Sequence, residues 1–198
     1  MAEGQVAGKT KSRAGLIGLL ATFFVPLILA LLMFYNLDAW QHPERSNYGE
    51  LMLPIEPLSG FSALDVNGNT LDETWFEKMW SLVYVADGRC DIYCETSLFV
   101  MSQARLRLGR DVSRLQYIYM ATDQASFDSG ILMQQRHPRM LVLRLADNKY
   151  LQAIDAAPQR NLYLIDPHAN KVLRYPEGSS TKGVYGDLHK LLENSRIG

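Results

Sequence analysis

The stretch "LVYVADGRCDIYC", Leu82 to Cys94, decides how this chain folds. With Trp80 and Ser81 ahead of it, the part up to Ala86 is a continuous β-rich apolar run, the pattern of a strand buried on both faces. Asp87-Gly88-Arg89 breaks that run as a loop. The following residues, "CDIYCETSLFVMSQARLRLG", place Leu98, Met101 and Leu108 at helical spacing and predict a helix ending near Gly109. The chain's only two cysteines, Cys90 and Cys94, stand at this strand-to-helix turn. A metal clamp, a redox couple, a structural staple and two unrelated thiols are all open readings of that pair.

The N-terminus narrows the choice. "LIGLLATFFVPLILALLMFY", Leu16 to Tyr35, carries no charge, and a helix of that length covers about 30 Å, the thickness of a bilayer's hydrocarbon core. Pro26 is tolerated in such a helix, and Tyr35 and Trp40 fall where interfacial aromatics sit. A cleaved signal peptide has a shorter apolar run and a small-residue cleavage site, which this segment lacks. The chain is therefore expected to contact the lipid bilayer through Leu16–Tyr35. Lys9, Lys11 and Arg13 precede the span against Glu3 alone, whereas Asp38, Glu44 and Glu50 follow it with only Arg45 nearby. By the positive-inside rule the tail stays in the cytoplasm and the rest is exported, in a bacterium across the inner membrane to the periplasm. There disulfide chemistry is available to a close cysteine pair.

The expected organisation is a tail over 1–14, a transmembrane helix over 15–36, a linker over 37–57 containing Pro43, Pro54 and Pro57, and an exported domain over 58–198. "FSALDVNGNTL" alternates around Asn67-Gly68 as a hairpin, and "LDETWFEKM" reads as a short helix capped by Asp72. "LQYIYMAT" is a second buried strand, followed by a helix around Phe127 to Gln135. "RMLVLRL", Arg139 to Leu145, is ambiguous between strand and helix. "NLYLIDPHANKVLRYP" gives two strands about an Asp166-Pro167 turn, and an amphipathic helix over Val184–Asn194 closes the chain. Alternating strands and helices with a terminal hairpin define an α/β class.

This order, together with the anchor, "FSALDVNGNTL", "LVYVADGRCDIYC" and "LYLIDPHANKVLRY", resembles a thioredoxin-like fold of the peroxiredoxin branch. Within it the chain is similar to the Sco (SenC/PrrC) family of membrane-anchored cytochrome c oxidase assembly factors. The resemblance implies Cys90 and Cys94 as the active pair, either redox-active or as ligands to Cu(I). It also implies oxidase subunits or a copper chaperone as partners. Two departures mark the chain as a divergent paralogue. The prolines that follow the motif cysteines in that family are replaced by Asp91 and Glu95, and its third copper ligand, a histidine, falls on Pro158.

Cysteines four apart near a helix N-terminus lie on one face, where orphan N–H groups and Arg89 favour thiolate while Asp91 and Glu95 oppose it. That placement suits a disulfide or two soft thiolates for Cu(I). A structural zinc site takes about four protein ligands, and no second Cys/His pair is evident. Among the histidines, His42 sits in the linker, His168 in the final turn, His189 on the last helix and His137 in a loop that could reach the motif. Trp75, Trp80, Tyr117 and Tyr119 fit core patterns. A net charge of −1 and the absence of a Gly-rich phosphate loop or nucleophile elbow give no support to a nucleic-acid surface, an NTPase or a hydrolase. The sequence thus points to an oxidase-assembly factor using a thiol–disulfide pair; it leaves open which cysteine attacks, Cys90 being the one nearer the helix terminus. Cu(I) carriage and a non-catalytic tethered scaffold are the alternatives.

Overall fold

The computed structural model describes residues 11–35, 47–147 and 160–195. The tail residues Glu3 and Lys9, the post-span residues Asp38, Trp40, His42, Pro43, Glu44 and Arg45, and Pro158 lie outside them. The chain forms two separate units, Met1–Ser46 and Asn47–Gly198.

In the first unit, α1 (Lys11–Tyr35) is one helix with Pro26 inside it. Its segment Gly15–Tyr35 is long and apolar enough to cross a membrane, and none of it is buried. A helix that is apolar on all sides has the composition of a membrane-spanning segment. The Thr22 hydroxyl donates back to the Gly18 carbonyl at 2.9 Å, so even its polar atom is satisfied within the helix.

Among the described residues the second unit is built on a mixed sheet of eight strands: β1 (Glu50–Pro57), β2 (Ser62–Leu64), β3 (Thr70–Asp72), β4 (Trp80–Ala86), β5 (Leu115–Ala121), β6 (Leu141–Leu145), β7 (Leu162–Ile165) and β8 (Asn170–Tyr175). Their order is β1-β8-β7-β4-β5-β6-β2-β3. β4, β5 and β6 run parallel, Leu82 opposite Tyr117 and Ile118 opposite Leu141, and the flanking pairs are antiparallel. Every residue of β4 is buried, as its unbroken apolar run requires. Alternation then divides the strand. Leu82, Tyr84 and Ala86 face one core with Tyr117 and Tyr119, and Val83 and Val85 face the other with Ile118 and Met120.

The first core is covered by α2 (Ile92–Leu106), α3 (Gln124–Arg136) and α4 (Thr181–Asn194). The parallel strands need crossovers, and α2 and α3 supply them. The second core packs under Leu58, Phe61 and the 3-10 turn Glu73–Phe76, where Phe61 and Phe76 meet edge-to-face at 5.2 Å. That turn is shorter than the helix expected for "LDETWFEKM", although Asp72 does cap it by accepting the Thr74 N–H.

Two sequence readings resolve here. "RMLVLRL" becomes strand β6, because its partner β5 is already parallel and buried. Part of the stretch read as linker, Glu50–Pro57, is instead strand β1 on the sheet's edge against β8. Pro54 and Pro57 obscured it, but an edge strand tolerates proline, and the register shifts between Leu51 and Glu56. Just ahead of β1, the N–H groups of Tyr48 and Gly49 donate to the two oxygens of the buried Asp187 carboxylate on α4, at 2.9 and 2.8 Å. The Tyr48 hydroxyl in turn accepts from the Ser180 N–H at 3.0 Å.

Candidate functional site

β4 ends at Ala86 and the chain turns through Gly88, whose φ of 70° is a left-handed conformation that glycine adopts without strain. The Gly88 N–H donates to Asp123 Oδ2 at 3.2 Å. Asp123 is also the N-cap of α3, in a reciprocal capping box with Ser126. One carboxylate therefore fixes both the loop before the cysteines and the start of the neighbouring helix.

Cys90 and Cys94 are joined as a disulfide, with their Cα atoms 5.2 Å apart. Cys94 occupies the first turn of α2 and is 3% exposed, packed in the first core beside Tyr84 and Leu98. Cys90 lies before the helix cap, partly buried against the same core. The expected placement of both cysteines on one helix face is thus corrected: Asp91 caps the helix between them, so only Cys94 is helical. Asp91 accepts the N–H groups of Tyr93 and Cys94, both at 3.1 Å. The donors expected to stabilise a thiolate are taken by a carboxylate.

The two acids that replace the expected prolines do not stand alone. Arg160 Nη1 contacts Asp91 Oδ2 at 2.6 Å, and its guanidinium lies over the Tyr93 ring at 5.7 Å. Arg136 Nη1 contacts Glu95 Oε1 at 3.3 Å. The Cys94 amide, and after it Arg160, hold the Asp91 carboxyl below the usual carboxylate range. Below the disulfide, burial pushes the Tyr84 hydroxyl up to about 12, against the opposing pull of Arg160. Sequence reasoning missed Arg160 and Arg136 because they are distant in the chain from their partners and belong to no local motif.

The histidines are dispersed. His137 closes α3 at its C-cap, with its pKa lowered chiefly by burial, and lines a groove beside the later turns of α2. His168 lies in the β7–β8 turn, and His189 stacks on Tyr185 in α4. Among the described residues no three His, Cys, Asp or Glu side chains converge as a metal site. Two reduced thiols nevertheless supply the soft donors Cu(I) prefers, so the cysteine pair fits that ion with two ligands from the described part of this chain.

The disulfide closes a very short loop, spanning a sequence separation of 4. The chain-entropy relation gives such a loop only about 2 kcal/mol. Reduction with dithiothreitol is expected to lower Tm by roughly 4–8 °C without unfolding the domain, measurable by calorimetry. A staple essential to the fold would instead lose the cooperative transition.

Acid acts through two of these caps and through Asp65, which accepts the Asn67 and Asn69 N–H groups in the β2–β3 turn. Asp91, Asp123 and Asp65 are all held below the ordinary carboxylate value, chiefly by the Cys94 amide, the Ser126 amide and the Asn69 side chain respectively. The unfolded chain therefore takes up these protons first. Their contribution is whole above about pH 4 and is lost as pH falls through the depressed folded values. Tm followed from about pH 6 to about pH 2 should fall below about pH 4, and less steeply in Asp91→Asn.

A disulfide at the C-terminal end of a central parallel strand, beside a helix start, on a sheet extended by an antiparallel hairpin, defines a thioredoxin-like protein. The chain belongs to the family described as the transmembrane-like, thioredoxin-like, C-terminal domain, which matches residues 80–195. Its solved structural neighbours include Sco proteins and the thioredoxin domain of a thiol-disulfide oxidoreductase. Arabidopsis thaliana ScoI with copper bound superposes with a TM-score of 0.58 at 13% identity, covering 74% of this chain and 99% of that one. Yeast Sco1 gives 0.57 at 19% identity, over 68% and 93%. The thioredoxin domain of a thiol-disulfide oxidoreductase from Bacteroides vulgatus gives 0.54 at 13%, over 69% and 96%. No curated protein sequence matches the chain. The fold is thus Sco-like and thioredoxin-like, as the sequence resemblance implied.

Proposed function

We propose that this chain is a membrane-anchored accessory factor for assembly of a haem–copper cytochrome c oxidase, acting through Cys90 and Cys94 as a thiol–disulfide pair. The observation that carries the redox reading is the asymmetry of the pair. One sulfur is half-buried ahead of the cap, its partner is sealed under the helix, and the bond between them closes a loop so short that the fold is expected to survive its reduction. In the reduced form the Cys90 thiolate attacks one sulfur of a partner's disulfide and releases the other as thiolate. Cys94 then displaces the second, leaving the partner as a dithiol and this chain as the Cys90–Cys94 disulfide. A dithiol reductant of the exported compartment returns the pair to its starting state. The partner is an oxidase subunit or a copper chaperone whose cysteines must be reduced to take metal.

In this reading α1 spans a bacterial inner membrane once, the tail over 1–14 is cytoplasmic and the thioredoxin-like domain is periplasmic. Strains carrying Cys90→Ser or Cys94→Ser are expected to lose most oxidase activity while retaining the protein in the membrane. Fully active oxidase in both strains overturns the proposal. A second reading, Cu(I) carriage by the two thiolates, is favoured by the copper-bound ScoI neighbour. Stoichiometric Cu(I) uptake by the reduced chain against a competing chelator would support it.

A further inference from the structure

The outer side of α2 carries Ile92, Phe99 and Leu106, which are 69%, 56% and 64% exposed. Seven residues fall only about 20° short of two helical turns, so these side chains form one stripe leading away from the disulfide. Phe99 and Leu106 form one wall of a groove of ≈ 350 Å³ whose far side is the segment Arg136–Arg139. The buried Tyr117 ring is part of its lining. Three guanidinium groups line the groove, those of Arg105, Arg136 and Arg139, and among the described residues no carboxylate does.

Arg105 is fixed there by donating to the Leu115 and Val112 carbonyls at 3.0 and 3.2 Å, and it lies over Tyr117 at 5.7 Å. Burial, joined by the like charge of Arg139, lowers its pKa, as expected for cations gathered without a counter-ion. Among the described residues only Arg136 has an acidic partner, Glu95, which follows Cys94 on α2. Exposed apolar walls with surplus positive charge suit a ligand that is apolar and negative. The recess suits inserted side chains better than a flat bilayer surface.

We infer that this groove docks an acidic, apolar segment of a protein partner along α2, which presents that partner to the Cys90–Cys94 pair. The inference goes beyond the redox reading, and the docking step itself needs no cysteine chemistry.

The test uses the full chain in nanodiscs of neutral phosphatidylcholine, with hydrogen exchange read at residues 99–106 and 136–139. The probe is a peptide of about twelve residues alternating Leu and Glu, compared with a Leu/Lys peptide of equal length. The Leu/Glu peptide is expected to protect both segments and to lose protection as salt rises. Arg139→Glu, which breaks no ion pair, is expected to weaken binding at least about tenfold, and Leu106→Ser to weaken it with melting unchanged. A Cys90→Ser/Cys94→Ser chain should bind the peptide as well as the parent, so failure of docking and failure of the redox reading are separable. Equal protection by the two peptides, or none, overturns the inference. Protection already complete without peptide assigns the groove to this chain or a second copy, and protection appearing only in phosphatidylglycerol nanodiscs assigns it to lipid headgroups. Either result also overturns it.

Discussion

A Cys94→Ser chain incubated with oxidised glutathione accumulates a stable mixed disulfide at Cys90, whereas Cys90→Ser reacts at Cys94 at least about tenfold more slowly. The difference follows from burial: Cys94 is 3% exposed beneath the first turn of α2, and Cys90 stands ahead of the cap, open on one side. In the parent chain the same adduct does not persist. The Cys94 thiolate displaces the second glutathione and restores the intramolecular disulfide. Mass spectrometry of the detergent-solubilised protein after acid quenching separates the three outcomes. Equal reaction rates for the two single variants would sink the assignment of Cys90 as attacking thiol, while leaving the pair's redox activity open to measurement by its reduction potential.

The second large effect concerns two glycines that a helix propensity scale treats alike. Replacing glycine by alanine within a helix is worth up to about 1 kcal/mol in favour of the folded state. At Gly186 in α4 a Cβ would meet no heavy atom within 4 Å, so Gly186→Ala is expected to raise Tm by a few degrees. At Gly130 in α3 the same atom would lie 2.7 Å from two Tyr119 ring carbons and 2.9 Å from Val142 Cγ1. Tyr119 is fully buried and Val142 nearly so, and neither has space to retreat. Overpacking of this kind costs about 1–3 kcal/mol, which outweighs the propensity gain. Gly130→Ala should therefore lower Tm by several degrees, with α3 lifting from the sheet at β5 and β6. A rise in Tm for both variants would show that this contact yields more readily than a close-packed core allows.

The central strand, the helix after it, the terminal hairpin and the apolar N-terminal segment were legible because each rests on a local pattern. An unbroken β-rich run means burial on both faces, and an apolar run of bilayer length admits few alternatives. Edge strand β1 was not legible. Its prolines argue against a strand in general, and only its position beside β8 makes them harmless. The cysteine pair was legible as two residue types but not as an environment. Asp91 reads in sequence as a charge opposing thiolate, and in three dimensions it is the cap of α2, paired with Arg160. Glu95 likewise reads as an isolated acid until Arg136 is found against it. Charge pairs formed across the fold leave no period or spacing to find, and the three-arginine groove was invisible for the same reason.

The Asp187 clamp has a mechanical consequence. Any pull arriving along the chain from residue 46 meets, before the edge strand β1, two amide hydrogen bonds to one buried carboxylate on the last helix. Both bonds fasten to the same side chain, so they share the load instead of parting one at a time as the rungs of a peeled strand do. The point where the domain is leashed is thus fastened to α4, which itself packs against α2. A load entering the domain at Asn47 is therefore taken up first at that knot on the last helix, before it reaches the rungs of the sheet.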